Sequence, residues 1–210
     1  QGIDGSQSGL IGEVFRLIKK SKVPNILLEN VPFMLHLARG RAMDVIASTF
    51  ESLGYRWAYR VVDARAFGLP QRRRRVYFLA SKDIDPRTVL LVDHKPPPME
   101  RERTFATACG FYWTEGTKGL GWAGDAIPTL KGGSGLGIPS APAIWLPDGN
   151  FITPDIRDAE RLQGFRAGWS SPAERVAKPG SRWKLVGNAV SVPVFKWIGE
   201  RLSRPGEFFA

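Results

Sequence analysis

The sequence predicts an α/β fold with a mostly parallel sheet and a smaller, irregular β-rich region. Up to about residue 84, short apolar runs typical of buried strands alternate with longer segments of helical periodicity. This alternation then stops, and residues 104–150 are rich in Gly, Pro and Trp without helical spacing. Regular helical patterns return after residue 153. The chain therefore combines parts of a layered sheet with a second region between them.

Each element has its own signal in the sequence. Apolar spacing and end signals predict helices over 9–20, 41–53, 154–163 and 193–202. Apolar runs predict strands over 25–29, 55–62 and 76–80. The run at 25–29 is continuous, which is typical of a strand buried on both faces. The third helix is expected to have Thr153 as its N-cap and to end at Gly164.

Composition limits the classes of function. Thirty Lys and Arg against twenty Asp and Glu give a net charge of +10, which makes nucleic acid a candidate partner. Cys109 is the only cysteine, which excludes an intramolecular disulfide, and with two histidines no metal site is predicted. No apolar stretch is long enough for a membrane span. The single cysteine fits a reducing compartment, so a cytoplasmic location is expected. The first residue is Gln1 and not Met, which suggests processing or a fragment.

The motif Glu-Asn-Val at 29–31 follows the first predicted strand. Ligands of open α/β sheets bind beyond the carboxyl ends of strands, so Glu29 is placed where it could hold or deliver a proton. The alternative is an ordinary acid at a strand end, with Asn30 capping the next turn.

An arginine run at 72–75 leads into the strand at 76–80. Pro70 makes the chain before it extended, and alternation then places Gln71, Arg73 and Arg75 on one face. Three such donors would suit phosphates and a base edge. The alternative is the solvated start of a basic strand.

Two later motifs are weaker when taken alone. Arg-Leu-Gln-Gly-Phe at 161–165 is typical of a helix end, for which structural packing is the preferred interpretation. Gly-Asn-Ala-Val at 187–190 predicts a turn ahead of the last helix, where the backbone could approach a ligand. A plain loop is the alternative interpretation of this motif.

Together and in this order, the four motifs resemble those of the DNA (cytosine-5) methyltransferase family, as found in restriction–modification systems. The resemblance spans nearly the whole chain except about 85–150. It implies that 1–84 and 183–210 form part of a Rossmann-like catalytic domain. It also implies that 85–182 form the domain that recognises the target sequence.

The resemblance further implies roles for single residues. The family flips its target cytosine out of the duplex, attacks C6 with a cysteine and methylates C5 with S-adenosylmethionine. Glu29 matches the residue that holds N3 and the exocyclic amine, Arg75 the one at O2, and Arg73 the one on the neighbouring phosphate. Residues matching the cofactor site are Leu10, Asn188, Ala189 and Val190. Residues expected to bind DNA are Gln71, Arg73, Lys131, Gly132 and Gly133.

The sequence departs from the family in three respects. Two of them are that the Pro-Cys block with the family's nucleophile and the Gly-rich loop that opens the cofactor site, both expected upstream of Glu-Asn-Val, do not occur here. The third is that Gln7 stands where the family often has Arg. Cys109 follows Ala108 in the recognition region and cannot replace the nucleophile. The expected partners are therefore double-stranded DNA and an N-terminal half that carries the cysteine, and the chain alone should be inactive.

Several alternatives remain open at this point. The chain could be part of one enzyme, a subunit of a split methyltransferase, or a DNA-binding remnant without activity. A tRNA cytosine-5 methyltransferase is a further alternative. A sheet edge left open by missing strands could also support a homodimer.

Overall fold

The computed structural model describes residues 9–93, 96, 106–112, 121–132, 142–178 and 180–207. The chain divides into two compact units. The first unit contains 1–62, 74–95 and 198–210, and the second contains 63–73 and 96–197. The second unit thus includes 63–73 and 183–197, outside the range 85–182 expected for target recognition. Because compactness does not report function, the assignment of that range to recognition stays a prediction.

Each of the four helices and three strands expected from the sequence is observed, and the structure adds two α-helices and six short strands within the described residues. The α-helices are α1 (Gly9–Ser21), α2 (Arg41–Ser52), α3 (Arg87–Leu90), α4 (Ile156–Leu162), α5 (Ser181–Asn188) and α6 (Val192–Ser203). Three 3₁₀ helices cover Pro32–Gly40, Ala64–Phe67 and Ser171–Arg175. The strands are β1 (Asn25–Asn30), β2 (Arg56–Asp63), β3 (Gln71–Arg72), β4 (Arg74–Ser81), β5 (Cys109–Phe111), β6 (Ala123–Gly124), β7 (Ile127–Pro128), β8 (Ala143–Trp145) and β9 (Phe151–Ile152).

A three-stranded sheet in the order β1-β4-β2 organises the first unit. β1 and β4 pair antiparallel, with Glu29 opposite Tyr77 and Asn30 opposite Val76. The expectation of a mostly parallel sheet is wrong for this pair, because an apolar run shows that a strand exists but not its direction. β1 is also half-buried and not buried on both faces, and among the described residues it is the last strand on its side of the sheet.

The core of the first unit packs helices against this sheet. Phe50 of α2 and Phe78 of β4 are both fully buried, and their ring centroids lie 5.4 Å apart. Ile18 of α1 and Ile46 of α2 join the same cluster. Their apolar spacing is what predicted these helices, so the periodicity of the sequence is confirmed here.

The second unit contains the short strands β3 and β5–β9 together with α4, α5 and the first part of α6. Among the described residues of 106–152 the regular elements are all short strands, as expected for an irregular β-rich region. A four-stranded sheet has the order β6-β5-β8-β9, and β3 pairs in parallel with β7. The core beneath contains Ile127, Leu130, Ala159 and Val186. Cys109 is buried and its thiol is free, in keeping with a packed cysteine.

Two local expectations in the second unit are wrong. The N-cap of α4 is Asp155 and not Thr153, because the Asp155 carboxylate accepts hydrogen bonds from the backbone of Arg157 and Asp158. Gly187 and Asn188 form the end of α5 and not a turn ahead of α6. The preceding residues form a helix that packs Val186 into the core.

Within the described residues, no helix combines the length and the apolar character that a bilayer span requires. Nor do three or more His, Cys, Asp or Glu side chains gather there in a way that could hold a metal ion.

Candidate functional site

Glu29 and Arg75 form an ion pair on the sheet of the first unit. The register places Glu29 opposite Tyr77, so that Arg75, two residues earlier on β4, is its diagonal neighbour on the same face. Arg75 Nε lies 2.9 Å from Glu29 Oε1, and the side chains keep 13% and 27% exposure. Arg75 Nη1 also donates to the Arg74 carbonyl at 2.8 Å. The expectation that these two residues lie together is met.

This pair offers an acceptor beside a forked donor, and solvent still reaches both. Such a combination can bind a planar polar ring along one edge, with donors and acceptors on the ring matched in turn. The neighbouring Asn30 is exposed, and its Oδ1 accepts a hydrogen bond from Val31 N at 2.8 Å. This hydrogen bond joins adjacent residues, and the 3₁₀ helix that follows has Val31 as its N-cap without a side-chain hydrogen bond, so the turn-capping interpretation is not supported.

Gln71, by contrast, is fully buried in the second unit. Its Nε2 donates to Leu162 O at 2.8 Å and to Gln163 Oε1 at 3.2 Å. Its Oε1 accepts from Leu130 N at 3.0 Å. The amide thus connects backbone segments that lie far apart in the sequence. With no exposed surface, Gln71 is placed to support neighbouring segments and not to touch DNA, so this arrangement gives its expected DNA contact no support.

Arg73 is also buried, with 4% exposure. Its Nη2 donates to Ala189 O at 2.8 Å, and its Nη1 donates to Gly187 O at 3.2 Å and, more weakly, to Leu130 O at 3.5 Å. The guanidinium therefore joins the segment expected to face DNA to the segment expected to hold the cofactor. Its role on a DNA phosphate stays a prediction.

Gln163 completes this group, although structural packing is the interpretation that its motif favours in the sequence. Its side chain is fully buried. Nε2 donates to Val186 O at 2.9 Å and to Ala189 O at 3.4 Å, while Oε1 accepts from Gln71. The available signal was an amide between apolar neighbours at a helix end, where burial requires hydrogen-bond partners. We call Gln71, Arg73 and Gln163 the polar junction.

Two glycines allow the segments around the polar junction to touch. A Cβ on Gly187 would lie 2.4 Å from the carbonyl carbon of Lys131, which is closer than backbone atoms tolerate. A Cβ on Gly132 would lie 3.0 Å from Asn188 Oδ1. The backbone at 131–132 therefore rests directly on the end of α5. Gly133, the third residue of the expected DNA contact, lies outside the described residues.

Lys131 extends from this contact to the surface. Its Nζ lies 5.0 Å from the centroid of the Tyr112 ring, and partial burial lowers the pKa of Lys131. The Tyr112 hydroxyl donates to Thr129 O, and burial raises the pKa of Tyr112 to about 12. Lys131 is exposed enough to meet a phosphate, as expected of a DNA contact.

A cavity of about 750 Å³ adjoins the expected cofactor residues in the second unit. Its walls are mainly apolar, and Trp169, Leu185, Asn188 and Ala189 are among its lining residues. An apolar wall suits a purine ring, and the exposed Asn188 amide could bind ribose hydroxyls or a carboxylate. This donor set is compatible with S-adenosylmethionine. Leu10 lies in α1, but its side chain is outside the described residues.

A buried acid supports the same unit and was not found from the sequence. Glu160 is fully buried and accepts hydrogen bonds from Ser170 N at 2.8 Å and from Arg182 Nη2 at 2.9 Å. Burial alone would raise the pKa of Glu160. Hydrogen bonds from Ser170, Arg182 and Gly168 outweigh it and lower the pKa to about 2. Glu160 is therefore a structural carboxylate that stays ionised.

Known proteins resemble this chain in sequence and in structure. The family model for C-5 cytosine-specific DNA methylase matches residues 1–107. Type II methyltransferase M2.BsuMI of Bacillus subtilis is 52% identical over 98% of this chain and 56% of its own length. Type II methyltransferase M.MspI of Moraxella is 26% identical over 94% of this chain and 50% of its own. The chain thus spans about half the length of these curated relatives.

Among solved structures, the Dnmt2 methyltransferase of S. pombe matches with a TM-score of 0.61 and 16% identity. The match covers 94% of this chain and 70% of that one. A putative DNA modification methyltransferase encoded within a prophage of E. coli matches with a TM-score of 0.56 and 17% identity, over 95% and 74% of the two chains. At these identities the likeness shows the fold alone, a mixed α/β methyltransferase fold. The family model covers half of the sequence, and on that ground the chain belongs to the C-5 cytosine-specific DNA methylase family.

Proposed function

We propose that this chain supplies the base-holding, DNA-binding and cofactor-binding residues of an enzyme that methylates C5 of cytosine in duplex DNA. The observation that carries this proposal is the contact between Glu29 and Arg75, with 2.9 Å between Oε1 and Nε. The two side chains match the family residues that hold opposite parts of one pyrimidine edge. Their accessibility leaves room for a ring to reach both.

In this proposal, Glu29 accepts a hydrogen bond from the exocyclic amine of cytosine and holds the proton that is shared with N3. Arg75 donates to O2, so that negative charge drawn into the ring meets a fixed cation. A proton at N3 makes C6 more electrophilic towards the cysteine. After the methyl group has been transferred to C5, a base removes the C5 proton, the cysteine thiolate leaves C6, and the N3 proton returns to Glu29, which restores the neutral aromatic ring. Glu29 thus exchanges a proton with the ring, whereas Arg75 provides a fixed positive charge.

The nucleophilic cysteine is assigned to a partner portion, in the same polypeptide or in a separate subunit. S-adenosylmethionine supplies the electrophilic methyl group. Asn188 and Ala189 are proposed to hold it, because both line an apolar cavity to which Asn188 contributes a polar amide. The family resemblance assigns the same role to Val190 and Leu10. Lys131 and Gly132 are proposed to contact the DNA backbone, which the net charge of +10 also favours.

The test combines the chain with the part of M2.BsuMI that lies outside the matched stretch. Transfer of labelled methyl groups from S-adenosylmethionine to duplex DNA is measured, with tRNA as the competing substrate. We expect Glu29→Gln to lower the rate by about 10²–10⁴-fold, because the amide cannot exchange the N3 proton.

The matched control is Glu13→Gln, which removes the carboxylate of an exposed pair with Arg16 and should leave the rate unchanged. If Glu29→Gln keeps nearly the full rate, the assignment of the catalytic acid is wrong. DNA binding without any methyl transfer would favour the alternative of a DNA-binding remnant, and transfer to tRNA alone would favour a tRNA methyltransferase.

A further inference from the structure

We infer that Gln163 is a positioning residue that couples DNA binding at Lys131 and Gly132 to cofactor binding at Asn188 and Ala189. The inference rests on the proposed function of those two segments and goes beyond it, because independent binding at both would satisfy the proposed function. The basis is the polar junction, whose members contact both segments while remaining buried.

Two amides in series connect the segments. Leu130 N donates to Gln71 Oε1 at 3.0 Å, Gln71 Nε2 donates to Gln163 Oε1 at 3.2 Å, and Gln163 Nε2 donates to Val186 O at 2.9 Å. The series therefore begins one residue before Lys131 and ends two residues before Asn188. In each amide, the oxygen accepts a hydrogen bond from the preceding group of the series and the nitrogen donates one to the following group.

This series is satisfied in one orientation only. Turning either amide over would place two donors or two acceptors against each other in a buried site, where unpaired polar groups are strongly destabilising. Gln71 and Gln163 have no exposed surface through which water could replace a lost partner. A displacement at Leu130 is therefore transmitted to Val186 and is not absorbed by rotation of a side chain.

Arg73 and the contact between Lys131 and Gly187 further restrict movement of the two segments relative to each other. The guanidinium of Arg73 donates to carbonyls of both segments, with Ala189 O at 2.8 Å and Leu130 O at 3.5 Å. The backbone of Lys131 touches Gly187 without space for a methyl group. Because the two segments share buried hydrogen bonds and direct backbone contact, they move together.

The two ends of this arrangement differ from its middle in exposure. Lys131 and Asn188 are exposed, whereas Gln163 between them is fully buried. A ligand at one exposed end therefore changes the position of the other end through groups that touch neither ligand. Coupling of this kind is reciprocal and typically amounts to 5–150-fold in affinity.

The experiment uses the assembled enzyme described above, with S-adenosylhomocysteine as a cofactor probe that cannot turn over. Its Kd is measured by calorimetry with and without saturating duplex DNA. We expect binding roughly tenfold tighter with DNA, and DNA binding tighter by the same factor with the probe. Gln163→Met keeps the length of the side chain and loses its polar atoms. It should reduce this factor below about twofold, while each ligand alone still binds.

Two further measurements distinguish a loss of coupling from a loss of folding in Gln163→Met. Arg161→Met changes an exposed residue on the same helix and should keep the full factor. In the unchanged protein, hydrogen exchange should slow at 186–190 when DNA alone is added.

Each outcome decides a different point. Failure of the unchanged assembly to bind either ligand would overturn the proposed function and this inference with it. Binding of both ligands with no mutual effect would overturn the inference alone. So would an undiminished factor in Gln163→Met, or exchange that slows only around Lys131.

Discussion

Arg73 and Arg75 are two residues apart and belong to the same motif, yet their surroundings differ. Arg75, in the first unit, pairs with the carboxylate of Glu29 and remains partly exposed. Arg73, in the second unit, is buried and donates to carbonyl oxygens of Leu130, Gly187 and Ala189. One guanidinium faces a group that can exchange protons, and the other faces backbone. We therefore propose that Arg75 takes part in the chemistry, whereas the contacts of Arg73 stabilise the surrounding backbone.

The largest effect is expected for Arg73→Met, which tests whether Arg73 stabilises the fold more than Arg75 does. Removing the guanidinium leaves buried carbonyls without their donor, at about 1–3 kcal/mol each. We expect the free energy of unfolding to fall by about 3 kcal/mol, measured by urea denaturation with tryptophan fluorescence. Six of the seven tryptophans lie in the second unit, so the signal reports mainly on that unit.

Two neighbouring variants serve as controls for Arg73→Met. Arg74→Met changes an exposed side chain and should alter stability by less than about 0.5 kcal/mol. Arg75→Met breaks one partly exposed ion pair and should cost about 1 kcal/mol or less. If Arg73→Met is no more destabilising than Arg75→Met, the structural role of Arg73 is wrong.

A second, smaller effect concerns the sensitivity of the second unit to acid. The folded pKa of Glu160, about 2, lies below its ordinary value of 4.5. A lowered folded pKa gives stability that is present above pH 4.5 and is lost as the pH falls towards 2. We expect the ionised carboxylate to contribute up to about 3 kcal/mol.

Comparison with Glu160→Gln measures this contribution. The variant should be less stable at neutral pH, and the gap between the two unfolding curves should close as the pH approaches 2. Glu174→Gln, at the exposed partner of the same Arg182, should change little. A gap that stays constant across this pH range would contradict the assigned role of Glu160.

The elements of the fold could largely be predicted from the sequence. The helix expected over 41–53 is observed as Arg41–Ser52, and the one expected over 193–202 as Val192–Ser203. Helical periodicity is a local property, so it can be found without knowing the rest of the fold. The direction of β4 against β1 is not local, and the sequence pattern could not supply it.

The candidate site, like the fold, could be predicted from the sequence only in part. The contact between Glu29 and Arg75 was expected, because ordered motifs placed both at one pyrimidine. The burial of Gln71 and Arg73 was not expected, since an arginine run is usually solvated. Their partners lie 57–116 residues away along the chain, in segments whose positions only the folded structure shows. Gln163 was missed for the same reason.

The smallest effect contrasts Lys131 with Arg73, two cations of the second unit. Lys131 is exposed, so its charge can meet a DNA phosphate, whereas the charge of Arg73 is enclosed. Lys131→Met should leave stability nearly unchanged and reduce the slope of log Kd against log salt by about 0.9, the value for one phosphate contact. The slope is measured by fluorescence anisotropy of a labelled duplex over a series of salt concentrations. Lys20→Met, at an exposed position of α1, should leave the slope unchanged. If both variants lower it equally, the chain binds DNA through its overall charge, and Lys131 makes no defined contact.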